Sequence, residues 1–234
     1  MANTIRLLGV VPLGDLAAYV EFSRTLDLEV NSMVQRLAVA LRLRGLPWLR
    51  DVVPALGGVA LHFDPGFEGN VLQLAAELTA ECLKKGLPAA KEFESEIEVP
   101  VCYEAEFAPD MDEVSKKTGL AAVEVVKRHT APEYRVLMIG FAPGHAYLGE
   151  LDARLAVPRR ATPRTQVPAG SVAIAHQQTV VYPYAIPGGW NVIGRTPLVV
   201  FDAGRPRPSL FAPGDRVRFR AITGKEFERM AEQP

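Results

Sequence analysis

Pro158, Pro163 and Pro168 recur every five residues inside GFAPGHAYLGELDARLAVPRRATPRTQVPAGS, residues 140 to 171. Each fixes φ and removes a backbone donor, which rules out a helix between them and favours a stiff, extended path. Gly140, Gly144 and Gly149 act the other way, permitting tight turns and close approach of backbone to another group. Arg154, Arg159, Arg160 and Arg164 are held on this path, with Asp152 nearby to neutralise them. Two readings stay open. One is an anion-holding loop, because preset guanidinium groups suit bidentate contact with carboxylate or phosphate at low ordering cost. The other is that these arginines pair with acids of this chain or of a partner.

The rest of the chain divides around this run. The N-terminal part alternates strands and helices. Strands are expected over residues 4–11 and 17–22, split by a Pro12-Leu13-Gly14-Asp15 turn. A helix capped by Asn31 carries Met33, Leu37, Ala40 and Leu41 on one face and stops at Gly45 and Pro47. GVALHF, residues 58–63, is another strand. A second helix capped by Asn70 carries Val71, Leu74, Ala75, Leu78 and Cys82, and ends at Gly86. This is an α/β sandwich with helices on one face. The polar segment 86–96 is the expected domain boundary. Beyond it, IEVPVCYEAEF alternates like a strand, Asp110 caps a short helix ending near Gly119, and residues 121–129 form another. From Tyr134 onward the runs YRVLMIGF, SVAIAH, TVVYPY, NVIG, LVVF and RVRF are punctuated by Pro and Gly, as in a β-barrel or sandwich. The fold class is α+β, with domains at 1–95 and 96–234.

Composition excludes several functions. The 26 basic and 27 acidic residues leave a net charge of −1, which removes the electrostatic argument for nucleic-acid binding. Cys82 and Cys102 fall on apolar faces and read as buried thiols. MANTIRLLGVVPLGD lacks the pattern of a secretory leader, and no apolar run approaches the ~20 residues that span a bilayer. The expected setting is cytoplasmic, with no membrane partner.

The chemistry concentrates between residues 129 and 196. YPYAIPGGWNVIGRTP adds Gly188 and Gly189 as possible amide donors, Trp190 as a pocket wall or a core plug, and Arg195 as a further charge. His62, His129, His145 and His176 show no metal-ligand spacing, so no metal is expected. His129 and His145 are candidate general acids or bases, since imidazole titrates near neutrality. Ser171 lacks a nucleophile elbow, and no Walker-type phosphate loop is present.

IGFAPGHAYLGELDARLAVPRRATPRTQVPAGSVAIA followed by YPYAIPGGWNVIGRTP resembles the signature of the family that includes the B subunit of 5-oxoprolinase, the sporulation kinase inhibitor KipI and allophanate hydrolase subunit 1. VPVCYEAEFAPDMDEVSKKTGL and VVPALGGVALHFDP extend the resemblance over nearly the whole chain. It implies a small N-terminal α/β domain and a cyclophilin-like C-terminal barrel. It also implies a sibling C subunit that completes the cleft, a third subunit, and ATP-driven opening of the 5-oxo-L-proline lactam to L-glutamate, with ATP supplied through the assembled complex. On that reading His129, Arg164 and Tyr147 are catalytic. Pro143, Gly144, His145, Arg159, Arg160, Ser171, Tyr182, Gly188, Gly189, Trp190 and Arg195 bind substrate. Alternative readings are inhibition of a histidine kinase and a role in urea or allophanate metabolism. The chain departs from the family pattern at His145-Ala146, His176-Gln177, Val180 and Ala185-Ile186, and the added bulk at His176 and Val180 is expected to narrow the site.

Overall fold

In a computed structural model, residues 5–89 and 95–232 are described. The chain forms two compact units, Met1–Phe93 and Glu94–Pro234.

The first unit is a four-stranded antiparallel sheet in the order β1-β2-β4-β3, built from β1 (Gly9–Pro12), β2 (Ala17–Glu21), β3 (Leu49–Pro54) and β4 (Gly58–Phe63). Helix α1 (Leu28–Arg42) packs on β3 and β4, and α2 (Val71–Lys85) packs on β1 and β2. Between helices and sheet lie Val34, Leu37, Leu41, Val20, Leu61 and Leu78, all fully or nearly fully buried. Asn70 caps α2 as expected, accepting from Leu72 N–H at 3.1 Å and Gln73 N–H at 3.0 Å. For α1 the cap is Asp27 rather than Asn31. Its Oδ1 accepts from Glu29 and Val30 N–H at 2.9 and 3.0 Å. Asn31 lies inside the helix, wholly buried, and donates from Nδ2 to the Ala55 and Leu56 carbonyls at 3.2 and 3.1 Å. A polar residue that reads as a helix start instead satisfies the β3–β4 turn. The expected strand over residues 4–11 begins only at Gly9, and its first residue lies outside the described residues, as do residues 90–94 of the boundary segment.

The second unit is a closed seven-stranded barrel in the order β10-β7-β6-β13-β5-β12-β9. Its strands are β5 (Glu96–Cys102), β6 (Glu133–Ile139), β7 (Ala146–Gly149), β9 (Ser171–Ala175), β10 (Gln178–Val181), β12 (Asn191–Arg195) and β13 (Arg216–Ile222). Neighbours are antiparallel except β13 and β5, which are parallel. Helices α3 (Met111–Thr118) and α4 (Ala122–Thr130) follow β5, and α5 (Gly224–Ala231) follows β13. A separate ribbon pairs β8 (Arg164–Val167) with β11 (Ile186–Gly188). LVVF, read as a strand, forms only a bridge from Phe201 to Ser209. The facing stretch carries Pro206 and Pro208, which have no N–H to extend a ladder.

The ribbon explains why β9, SVAIA, is buried at every position. Val172 and Ile174 face the barrel core with Leu148, Val181 and Ile193. Ala173 and Ala175 face outward into a second cluster with Val180, Tyr182, Trp190 and Val192. Val167 of β8 belongs to that cluster and Ile186 of β11 packs against it. The barrel wall is therefore packed on both sides. A row Tyr147–Val180–Ala173–Val192 crosses four strands on its outer face. Among the described residues no helix is long and apolar enough to cross a membrane. Cys82 and Cys102 are buried free thiols.

Candidate functional site

The outer face of the barrel carries a cavity of about 240 Å³ between the wall and the ribbon. Tyr147, Tyr182 and Trp190 come from the wall side, His145 and Phe141 from the β6–β7 loop, and Pro163, Pro187, Gly188 and Gly189 from the ribbon and its flanks. The rings contact edge to face: His145 to Tyr182 at 5.1 Å and 90°, and Tyr147 to Trp190 at 5.9 Å and 66°. Gly188 is required for this closeness, since a Cβ there would lie 2.2 Å from the Tyr182 hydroxyl. Gly144 holds the loop at φ 76°, and a Cβ on it would meet Phe201 at 2.8 Å.

Arg159 is the cation of the cavity. Its guanidinium carbon lies 5.5 Å from the Trp190 ring centroid. Burial pushes the Tyr182 phenol up to about 12 and raises that of Tyr147. Burial also lowers His145, to about 4. At neutral pH the cavity thus offers one fixed positive charge, a neutral imidazole and protonated phenols.

Arg160 and Arg164 of the proline run are committed elsewhere, and Arg154 is exposed on the surface. Asp110, 2% exposed, accepts from Arg164 Nη1 at 2.7 Å and Nη2 at 2.8 Å, and from Arg160 Nη1. It also accepts from Val192 N–H at 2.7 Å, while its own N–H donates to the Val192 carbonyl at 3.0 Å. Arg160 reaches Glu113 as well, at 3.1 Å. Asp110 makes no side-chain cap to α3, against the sequence expectation, because its carboxylate is used in this brace. The brace fastens β8 and the run before it to β12. Arg160 N–H then donates to the Gly189 carbonyl at 2.7 Å, which fixes the cavity's ribbon side. The expectation of a catalytic Arg164 and a substrate-binding Arg160 is therefore corrected: both are neutralised within the chain.

Other expected site residues also fall outside the cavity. Arg195 donates to the Ala169 carbonyl at 2.8 Å and lies over the Phe227 ring. Ser171 is buried at the start of β9, its carbonyl accepting from Tyr182 N–H at 2.9 Å. Pro143 sits in the loop beside the cavity without lining it. His129, expected as the proton handler, is wholly buried among Tyr134 and Phe219. Its Nδ1 pairs with the Tyr103 hydroxyl at 2.8 Å and its Nε2 with Thr179 Oγ1 at 3.0 Å. Burial lowers its pKa to about 3. It is a core histidine. His176 does not narrow the site either: it is exposed at the β9–β10 turn, at φ 51°, where two-residue hairpins favour glycine. Val180 stands opposite Tyr147 across the β7–β10 pair and belongs to the outer-wall cluster, but it does not line the cavity.

Phe141, Pro163 and Pro187 line the cavity although the sequence did not mark them as site residues. The φ of 69° at Phe141 is the physical signal, and no residue pattern announces it. A broader depression of about 740 Å³ beside α4 includes Arg128, but Glu124 and Asp152 neutralise that cation at 2.8 and 2.7 Å. Among the described residues no cluster of three or more His, Cys, Asp or Glu could hold a metal ion.

The buried histidines carry a pH prediction. Below about pH 6.5 an unfolded histidine takes up a proton that folded His129 and His145 refuse, so stability is full above that pH and declines as it falls toward 4. Urea unfolding at pH 7.5 and pH 5 is expected to show a loss of about 2 kcal/mol per histidine. His145→Phe is expected to remove one histidine's share of that loss.

Residues 8–211 match the profile of the carboxyltransferase domain, subdomain C and D. The chain belongs to this family. Carboxyltransferase-domain relatives include the 5-oxoprolinase B subunit of Bacillus subtilis (strain 168), 36% identical over 229 residues, with 94% of this chain and 95% of the relative covered. The crystal structure of TTHA0988 is 38% identical with a TM-score of 0.76, and the match covers 89% of this chain and 40% of that one. This chain thus spans less than half of that larger protein. Kluyveromyces lactis urea carboxylase shares the fold at a TM-score of 0.73 and 20% identity, over 97% of this chain and 24% of that one.

Proposed function

We propose that the chain is the B subunit of an ATP-dependent 5-oxoprolinase, a non-autonomous hydrolase component acting on a cyclic amide. A sibling C subunit supplies the rest of the cleft, and a third one completes the assembly. The observation that carries this reading is the cavity with Arg159 as its cation amid aromatic walls. At about 240 Å³ it suits a five-membered lactam. It falls below the ~300 Å³ at which pockets for drug-sized ligands begin. That is small for ATP, so no nucleotide step is assigned to this chain.

In this reading Arg159 binds the substrate carboxylate, and Trp190, stacked under its guanidinium, fixes the charge in place. The lactam is planar at its amide and lies against the rings. Tyr147 and Tyr182 keep their protons and donate to the carbonyl oxygen, where negative charge grows as water adds to the carbonyl carbon. The C–N bond then breaks, both protons of the water end on the nitrogen, and the products are the carboxylate and ammonium of glutamate. His145 stays neutral, so it does not compete with Arg159 for the carboxylate. The relatives named as B subunits of 5-oxoprolinase support the substrate.

The test is reconstitution with the sibling and third subunits. Glutamate formation from 5-oxoproline is expected to require ATP and this chain. A complete complex without lactam-dependent turnover would refute the proposal.

A further inference from the structure

Phe141 is held at φ 69°, a left-handed conformation. There the Cβ of a bulky residue crowds the backbone, and non-glycine residues are uncommon. The loop imposes it from both sides: Gly140 N–H donates to the His145 carbonyl at 3.1 Å and His145 N–H to the Ala142 carbonyl at 3.0 Å. Folding recovers little from the side chain, which is 69% exposed and meets His145 only edge-on, at 5.5 Å and 75°. Glycine would serve the same turn at lower cost. Of the other large rings of the cavity, Tyr182 and Trp190 are 1% and 6% exposed and belong to the packed wall, and Tyr147 is half-buried against it. The exposed ring borders that same cavity.

A strained, exposed aromatic side chain at a cavity mouth brings its benefit when something occupies the cavity. Resting on the reading of this cavity as a 5-oxoproline site, we infer that Phe141 is a specificity-determining residue whose ring forms the solvent-side wall for a planar cyclic amide. Its conformation is preset, so little ordering remains when the ligand arrives. Open-chain amides, lacking a compact ring to stack on it, gain less from this wall.

The experiment compares Phe141→Gly and Phe141→Tyr with the native chain in the reconstituted complex, measuring KM for 5-oxoproline, and measures the melting midpoint of each chain alone. Phe141→Gly is expected to raise KM about fivefold, the scale of one lost ring contact. It is also expected to raise the melting midpoint by about 2 °C as strain is released. Phe141→Tyr is expected to hold KM within about twofold of native, since the ring is kept. An unchanged KM in Phe141→Gly beside normal native turnover overturns this inference alone. A lower melting midpoint in Phe141→Gly overturns it too, because the side chain would then be serving stability. No turnover by the native complex removes the proposed function and this inference together. Failure of Phe141→Gly to assemble with the other subunits, while Phe141→Tyr assembles, assigns the ring to a contact between subunits and overturns the ligand role.

Discussion

Arg164→Ala is expected to destabilise the barrel unit by about 3 kcal/mol, the lower end of what breaking a buried ion pair costs. Asp110 is 2% exposed and relies on Arg164 for two of its hydrogen bonds. Removing the guanidinium leaves a buried carboxylate with Arg160 and the Val192 amide as its remaining partners. The lower end applies because the Arg164 side chain keeps 27% of its exposure, so part of the interaction is already screened. Urea unfolding measures the effect. In a double-mutant cycle with Asp110→Ala the coupling is expected to be about 1–3 kcal/mol. Additive losses would show that the brace is a bystander.

Arg159→Ala is expected to behave in the opposite way. Its contact in the chain is the face of Trp190, worth only about 0.5–1 kcal/mol, so folding survives. In the assembled complex, however, the cavity loses its fixed positive charge. kcat/KM for 5-oxoproline is expected to fall about 10²-fold or more, the scale of a lost charge-assisted contact that strengthens toward the transition state. Arg159→Lys is expected to recover part of the loss, since a point charge replaces a planar fork. Near-native turnover by Arg159→Ala would place the carboxylate elsewhere.

The contrast between these neighbouring arginines measures what the sequence could say. The proline run was legible as a stiff path carrying guanidinium groups, because proline's constraints are local. Whether each group faces a ligand or an acid of the same chain depends on Asp110, which lies 54 residues from Arg164 in sequence. Its own reading as a helix cap hid that pairing. The two helices of the first unit, the Asn70 cap and the alternating strands of the barrel were visible because hydrophobic periodicity and capping act within a few residues. The β8–β11 ribbon was missed because RTQV and IPG are short and carry little apolar alternation. His129 is the instructive error. A histidine at a helix end reads as chemistry, yet its partners Tyr103 and Thr179 come from 26 and 50 residues away and make it a core residue. Tyr147, Tyr182, Gly188 and Trp190 stand in the segments that carry the family resemblance, and the structure brings them to one cavity with Arg159 and His145.

The most direct measurement is a crystal structure of the assembled complex with 5-oxoproline bound. The ring should lie against Trp190 beneath the β8–β11 ribbon, with its carboxylate on Arg159. Density for the ligand beside Arg164, or at any place remote from this outer-wall cavity, would contradict the account.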